Sequence, residues 1–210
     1  MMAMTEAAGF ALAVAMVWCS IREWHWSWPL AMASSALYFF VFRDSQLYGE
    51  AALQVVFAVL ALWGWWQWLR PASVNAGPRD GPAGTPSAPV PAPAPAPAPS
   101  PALHIRALSL RGRWQALIAG LLLWPLLALF LRQFTDTDVP WGDGLVTALS
   151  LVGQYLLGRK YLENWAVWLL VNTLSMGLFA YKALWLTVLL YGIFAVMSVM
   201  GWRTWQRQIH

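Results

Sequence analysis

The sequence predicts an all-α integral membrane protein whose seven transmembrane helices form two parallel three-helix repeats joined by a linker helix. Three observations predict it. Of the 210 residues, 60% are hydrophobic and only 10% charged, and the charges cluster between long apolar runs, as in membrane-spanning chains. Tryptophan occurs sixteen times, often near segment ends, where the bilayer interface favours it. The chain also repeats itself after 137 residues. Trp28 then meets Trp165, Phe42 meets Phe179, Leu47 meets Leu184, and Gly64, Trp65 and Trp68 meet Gly201, Trp202 and Trp205. With Leu37, Leu53 and Phe57 to Val59 over their counterparts, 11 of 41 ungapped positions are identical.

A hydrocarbon core needs about 20 apolar residues per helix, fewer when polar flanks snorkel. Seven segments supply them, near 6–21, 28–43, 48–68, 114–134, 143–159, 163–181 and 184–204. The first carries Cys19, the single cysteine, which has no intramolecular disulfide partner and reads as a small apolar residue. No positive charge precedes that segment and no small-x-small site follows it, so it is expected to stay rather than to be cleaved as a signal. The second segment holds Ser34, Ser35 and Tyr38, and the third holds Gln54.

Beyond Arg70 the chain becomes "PASVNAGPRDGPAGTPSAPVPAPAPAPAPSPA". Alternating Ala-Pro favours polyproline II and builds no packed core, so residues 71–103 read as a disordered tether. The predicted divisions are therefore 1–70 for the first repeat, 71–103 for the tether, 104–140 for the linker transmembrane helix and 141–210 for the second repeat. A three-helix unit crosses the bilayer an odd number of times, so a directly fused copy would be inverted. The fourth segment restores the direction. Parallel repeats of this kind hold substrates between them near the midplane.

The fifth segment carries Thr147, Ser150 and Gln154, and the seventh Thr187, Tyr191 and Ser198. The sixth, within "RKYLENWAVWLLVNTLSMGLFAYK", carries Asn164, Trp168, Asn172 and Ser175 at steps of four, four and three, which a 3.6-residue helix aligns on one face. Polar side chains are costly in lipid and face the bundle interior or a wet cavity. Lone Ser and Thr also serve as interhelical glue, but Asn and Gln in separate spans point to a lined site. The repeat pairs Ser35 with Asn172 and Gln54 with Tyr191.

Charge placement predicts the orientation. Arg22, Arg70, Arg79, Arg106, Arg111, Arg113, Arg159, Lys160, Arg203 and Arg207 fall in one set of loops, and only Arg43, Arg132 and Lys182 in the other. The positive-inside rule puts the first set, with the C-terminus, in the cytoplasm and the N-terminus outside. The net charge of +4 follows from this placement and calls for no nucleic acid.

No Asp, Glu, Lys, Arg or His lies mid-span. Ion-coupled pumps and proton relays need such groups at depth. Metal-ligand clusters, a phosphate-binding loop and a nucleophile paired with a base are also missing from the sequence. The expectation is a transporter, not an enzyme, with no cofactor. Its cavity would be neutral, amide-lined and aromatic, suited to a flat ring with hydroxyls attached. A cationic ring would gain about 2 kcal/mol from desolvated tryptophan faces.

"TALSLVGQYLLGRKYLENWAVW", "LYGEAALQVVFAVLALWGWWQW" and "YGIFAVMSVMGWRTW" resemble the PnuC family of bacterial nicotinamide riboside transporters. The likeness covers nearly all of the chain except the Ala-Pro insert, and Glu163, Asn164, Trp165 and Trp168 form its most specific motif. The resemblance implies a 3+1+3 fold like that of full-length SWEET transporters, in the bacterial inner membrane. It also implies facilitated diffusion of nicotinamide riboside, trapped by a cytoplasmic kinase that phosphorylates it, and a homotrimer. Ring-stacking and amide contacts would fall on Trp165 or Trp168, Asn164 and Gln54. With Asn172, Gln154, Tyr38 and Tyr191 these are the expected substrate-binding residues. Asn172 stands where relatives often have Asp, which would alter ribose contacts or substrate choice. Gly49, Pro29, Gly153 and Gly177 are candidate hinges for rocking of the two triads.

Thiamine and riboflavin, carried by relatives of this family, remain alternatives, and a sugar fits the tryptophan content less well. A membrane scaffold docking partners through the Ala-Pro segment is the reading from another class.

Overall fold

The computed structural model describes residues 2–44, 48–69, 103–181, 183 and 185–209. The Ala-Pro tether lies outside the described residues, as does the Leu47 and Leu184 pairing. Seven helices account for nearly all of the described chain. They are α1 (Met2–Ile21), α2 (Ser27–Asp44), α3 (Tyr48–Leu69), α4 (Leu110–Phe134), α5 (Pro140–Gly158), α6 (Asn164–Tyr181) and α7 (Trp185–Ile209). Among the described residues, Ala51–Leu69, Leu110–Phe134 and Thr187–Ile209 are long and apolar enough to cross a membrane individually.

The boundaries have local causes. Ser109 accepts a hydrogen bond from the Gly112 amide and caps α4, so the helix begins four residues before the apolar run and takes in Arg111 and Arg113. Pro140, with no amide hydrogen to lose, occupies the first turn of α5. α7 runs on to Ile209 because its last turn is polar and helical rather than apolar and spanning.

The architecture is 3+1+3. In the first triad α1 packs on α2 and α2 on α3; in the second, α5 packs on α6 and α6 on α7. The triads meet through α1 against α7 and α3 against α5, contacts that exchange when the repeats are exchanged. α4 packs along α5 and barely touches α3. At that contact a Cβ on Gly144 would stand 2.7 Å from Ala128 backbone atoms, so only a small residue allows the approach. The outer face of α4, with Leu121, Leu122 and Leu126, is exposed and suits lipid.

The repeat seen in the sequence is physical. Trp28 packs its ring over Gly64, where a Cβ would lie 2.2 Å from the indole, and Trp165 packs over Gly201, where it would lie 2.5 Å away. Trp28 meets Trp68 edge-on at 5.4 Å and Trp165 meets Trp205 edge-on at 5.4 Å. Each glycine opens a slot in the third helix of its triad for a tryptophan from the second. Trp28 and Trp205 are almost wholly buried, and these rings dominate the core, each burying on the order of 200 Å².

The turns after α1 and α5 match bond for bond. Glu23 N–H donates to Ser20 O and Trp24 N–H to Cys19 O; Lys160 N–H donates to Leu157 O and Tyr161 N–H to Leu156 O. This is the Schellman closure of a helix, which places its C′ residue in the left-handed region. Glu23 has φ 55° and Lys160 φ 53°. Both side chains meet between the triads, Lys160 Nζ to Glu23 Oε2 at 2.7 Å. Repeat-related residues in direct contact place a pseudo-twofold axis between them. Both triads therefore run in the same direction.

The segment before α4 is clipped to the second triad. Arg106 N–H donates to Lys160 O and Leu162 N–H to Arg106 O, a lone parallel bridge. Glu163 completes the clip by accepting from the Leu108 amide at 2.9 Å and pairing with Arg113 at 3.0 Å.

Candidate functional site

A cavity of about 200 Å³ lies between the triads, lined by residues of α1, α2, α5, α6 and α7. Its polar lining is Ser20, Ser27, Ser150, Gln154, Asn172, Tyr191 and Ser198, and its aromatic lining includes Trp28, Trp165, Trp168 and Phe194. None of the lining residues carries a charge. The space is neutral, as expected from spans free of mid-helix charges.

α6 supplies the most. Its inward face buries Asn164, Trp165, Val171, Asn172 and Ser175, so the polar and aromatic stripe read from the sequence does face the bundle interior. Asn172 donates its side-chain amide to Ser198 Oγ at 3.2 Å. Ser198 in turn donates to Phe194 O at 2.8 Å, one helical turn back. The hydroxyls of Ser20 and Ser150 likewise donate to carbonyls four residues earlier, at 3.0 and 2.8 Å. These serines spend their hydrogens on their own helices, so what they offer a ligand is acceptor lone pairs.

Trp168 lies against α5, where a Cβ on Gly153 would stand 3.3 Å from its ring. Gly153 thus lets a large ring settle beside Gln154. Tyr191 stacks on Phe179 at 5.2 Å and meets Phe194 edge-on at 6.0 Å. Its hydroxyl lies near Ser175 of α6 and Tyr38 of α2, which are repeat-related positions.

Of the eight expected site residues, five line the cavity together: Gln154, Trp165, Trp168, Asn172 and Tyr191. Three do not. Asn164 is fully buried and donates to Tyr161 O at 2.6 Å, so its amide is turned toward the start of its own helix. Gln54 sits half-buried on α3, which contributes no lining residue. Tyr38 is 42% exposed and is not among the lining residues. The cavity leans toward the second triad: Asn172 and Ser198 line it, whereas their counterparts Ser35 and Ala61 do not.

Among the lining residues beyond those expected, Trp28 and Ser27 carry unmet polar groups. Trp28 is the repeat mate of Trp165, and both indole N–H groups are buried without a hydrogen-bond partner. Ser27 Oγ is in the same condition. Buried donors left unmade are costly, and a ligand or water that meets them recovers that cost. The shift by 137 that pairs Trp28 with Trp165 was the signal that marks Trp28. A second cleft, of about 770 Å³, opens between α3, α4 and α5 beside Arg106 and Tyr161, and none of the eight expected residues lines it. Among the described residues no group of His, Cys, Asp or Glu is arranged to hold a metal ion.

The sequence profile of the family described as nicotinamide mononucleotide transporter matches residues 3–207. The nicotinamide riboside transporter PnuC of Escherichia coli is 25% identical over 170 residues, 80% of this chain and 71% of that protein. The riboflavin/roseoflavin transporter RibM of Streptomyces davaonensis is 23% identical over 202 residues, 96% of this chain and 84% of that protein. The crystal structure of the vitamin B3 transporter PnuC superposes with a TM-score of 0.66 over 96% of this chain and 80% of that one, at 21% identity, which shows a shared fold. With a match across nearly its whole length, the chain belongs to the nicotinamide mononucleotide transporter family.

Proposed function

We propose that this protein carries nicotinamide riboside across the bacterial inner membrane by facilitated diffusion with alternating access. Uptake would be driven by a cytoplasmic kinase that phosphorylates the delivered substrate. The observation that carries the reading is the uncharged cavity between the triads, lined by Trp28, Trp165, Trp168 and Asn172. Nicotinamide riboside pairs a flat cationic ring with a hydroxyl-rich sugar. Tryptophan faces attract the ring, and amide and serine acceptors suit the sugar hydroxyls. A cavity without carboxylates binds the cation weakly enough to release it, and trapping by phosphorylation supplies the direction that a coupling ion would otherwise supply.

The proposed roles keep the expected residues in two groups. Trp168 and Trp165 hold the ring, and Asn172, Gln154 and Tyr191 the hydrogen bonds. Asn164, Gln54 and Tyr38 belong to a surrounding layer that the substrate meets as the triads rock. The proposed topology has the N-terminus outside and the C-terminus in the cytoplasm, supported by the basic loops. The proposed divisions remain 1–70, 71–103, 104–140 and 141–210, and a homotrimer is the proposed assembly.

Riboflavin is the second reading, because a riboflavin/roseoflavin transporter aligns with 96% of the chain. Isothermal titration of the detergent-purified protein decides between them. Saturable heat with nicotinamide riboside, and none with thiamine, riboflavin or glucose, is the expected result. A preference for riboflavin would reassign the substrate and keep the fold. Silence with all four would sink the transporter reading of this cavity.

A further inference from the structure

We propose that Glu23 and Lys160 form the gate that closes the cavity at the end of the bundle where α1 and α5 finish. The proposal rests on the alternating-access reading above. Four observations carry it. The pair joins the two triads directly, Lys160 Nζ to Glu23 Oε2 at 2.7 Å. It stands one turn beyond the cavity, because Ser20 and Leu157, the lining residues nearest that end of α1 and α5, precede Glu23 and Lys160 by three positions. Both side chains are largely covered, at 23% and 11% exposure. Lys160 Nζ also lies over the Trp68 ring at 4.8 Å, so the first triad holds the cation with a carboxylate and an aromatic face together.

The backbone adds an independent argument. Each residue occupies the left-handed C′ position of a Schellman turn, where glycine is the usual occupant. A side chain there is strained. Twice, at repeat-related positions, that strain is borne by residues of opposite charge that meet each other. Glycine would serve the turn better at both places, so the turn alone does not explain Glu23 and Lys160. Their meeting does.

As a gate the pair has suitable chemistry. Partly buried charges are screened less than exposed ones, so the contact holds the triads together while closed. When the triads part, water hydrates both groups, so the open state is not penalised by a stranded charge. Two tryptophan bonds flank the pair at the same end, Trp205 Nε1 to Ile21 O and Trp68 Nε1 to Leu157 O.

The test reads access to the cavity and needs no substrate, so it stands whether or not nicotinamide riboside binds. In a Cys19→Ala background, Ser150→Cys places one thiol in the cavity lining. Everted vesicles present the α1 and α5 ends to a membrane-impermeant methanethiosulfonate reagent. Glu23→Gly and Lys160→Gly each relieve the turn while deleting the contact. Each is expected to raise the labelling rate about tenfold, a coupling of the size typical between two-state elements. The double variant Glu23→Gly with Lys160→Gly, which strands no charge, is expected to do so with the melting temperature at or above that of the parent. Joint exchange of the charges, Glu23→Lys with Lys160→Glu, is expected to return labelling to the parental rate. Parental labelling in both glycine variants overturns the gate, and so does a joint exchange that labels as fast as they do. Faster labelling of the double glycine variant accompanied by a lower melting temperature also overturns it, because a loosened fold then accounts for the access.

Discussion

Trp205 donates its indole N–H to the main-chain oxygen of Ile21 at 3.1 Å, so the last helix of the second triad holds the end of the first helix of the other triad. Trp68 makes the related bond to Leu157 at 3.2 Å. The two are reciprocal: the last helix of each triad donates to a main-chain oxygen at the end of the other triad's first helix.

The first prediction follows from the difference in their burial. Trp205 is fully buried and Trp68 only partly. Trp205→Phe keeps most of the ring and strands the Ile21 carbonyl, costing about 1–3 kcal/mol. Trp68→Phe costs less, because Leu157 O keeps its bond from the Lys160 amide. Thermal unfolding in detergent checks the order, and a smaller loss for Trp205→Phe than for Trp68→Phe contradicts it.

Glycine slots give the second prediction. Gly64→Ala and Gly201→Ala push a methyl into the Trp28 and Trp165 rings and are expected to destabilise by about 1–3 kcal/mol, as overpacking does. Gly177 has nothing within 4 Å of its would-be Cβ. Gly177→Ala is therefore expected to be neutral or to stabilise by about 0.5–1 kcal/mol, the helix preference for alanine. The same melting assay reads all three.

For the cavity, Trp168→Ala and Asn172→Ala are each expected to weaken nicotinamide riboside binding about tenfold or more, the loss of a cation–π face or of a buried hydrogen bond. Asn164→Ala acts differently. Its amide serves Tyr161 O, so the loss is expected in melting temperature, with a smaller change in affinity. Titration calorimetry beside thermal unfolding separates the two effects; unchanged affinity in both Trp168→Ala and Asn172→Ala removes the site assignment.

Glu163 sits within the most specific motif, yet its carboxylate binds Arg113 and the Leu108 amide and does not line the cavity. Glu163→Gln is expected to lower the melting temperature by a few degrees, from a loss of about 1–2 kcal/mol. Affinity should stay within about twofold of the parent, a change of less than 0.5 kcal/mol. A large affinity loss at unchanged stability would place Glu163 on the substrate instead.

Removing residues 73–101 tests the tether. Uptake into proteoliposomes is expected to persist, since the cavity is built from other segments. Lost function with an intact fold would favour a scaffold that docks partners through the Ala-Pro run.

Much of this fold was legible because the membrane imposes simple rules. Long uncharged runs have one solution in lipid, and a repeat containing Trp28, Gly64 and Trp68 over Trp165, Gly201 and Trp205 betrays duplicated packing. The α6 stripe was legible for the same reason: a 3.6-residue period admits one inward face. What could not be read was which inward residues share the cavity. Asn164 and Asn172 are two turns apart on one face, but the first is drawn to a carbonyl of the preceding turn and the second to Ser198. Gln54 looked equal to Tyr191 by the repeat, yet the cavity is not symmetric, and no pattern in the chain announces that α3 is left out. Glu23 and Lys160 looked like ordinary loop charges, since contact across 137 residues leaves no local trace.

The charges on the pseudo-twofold axis carry a consequence for ancestry. In a symmetric dimer of a single triad, any residue on the axis faces its own copy. Position 23 would then meet another glutamate, or position 160 another lysine, and like charges at such a distance repel. Opposite charges there require two separately encoded copies. The ion pair is thus a trait that only a diverged duplicate can possess, and it ties the asymmetry of the present cavity to the freedom that duplication gave the two halves to differ.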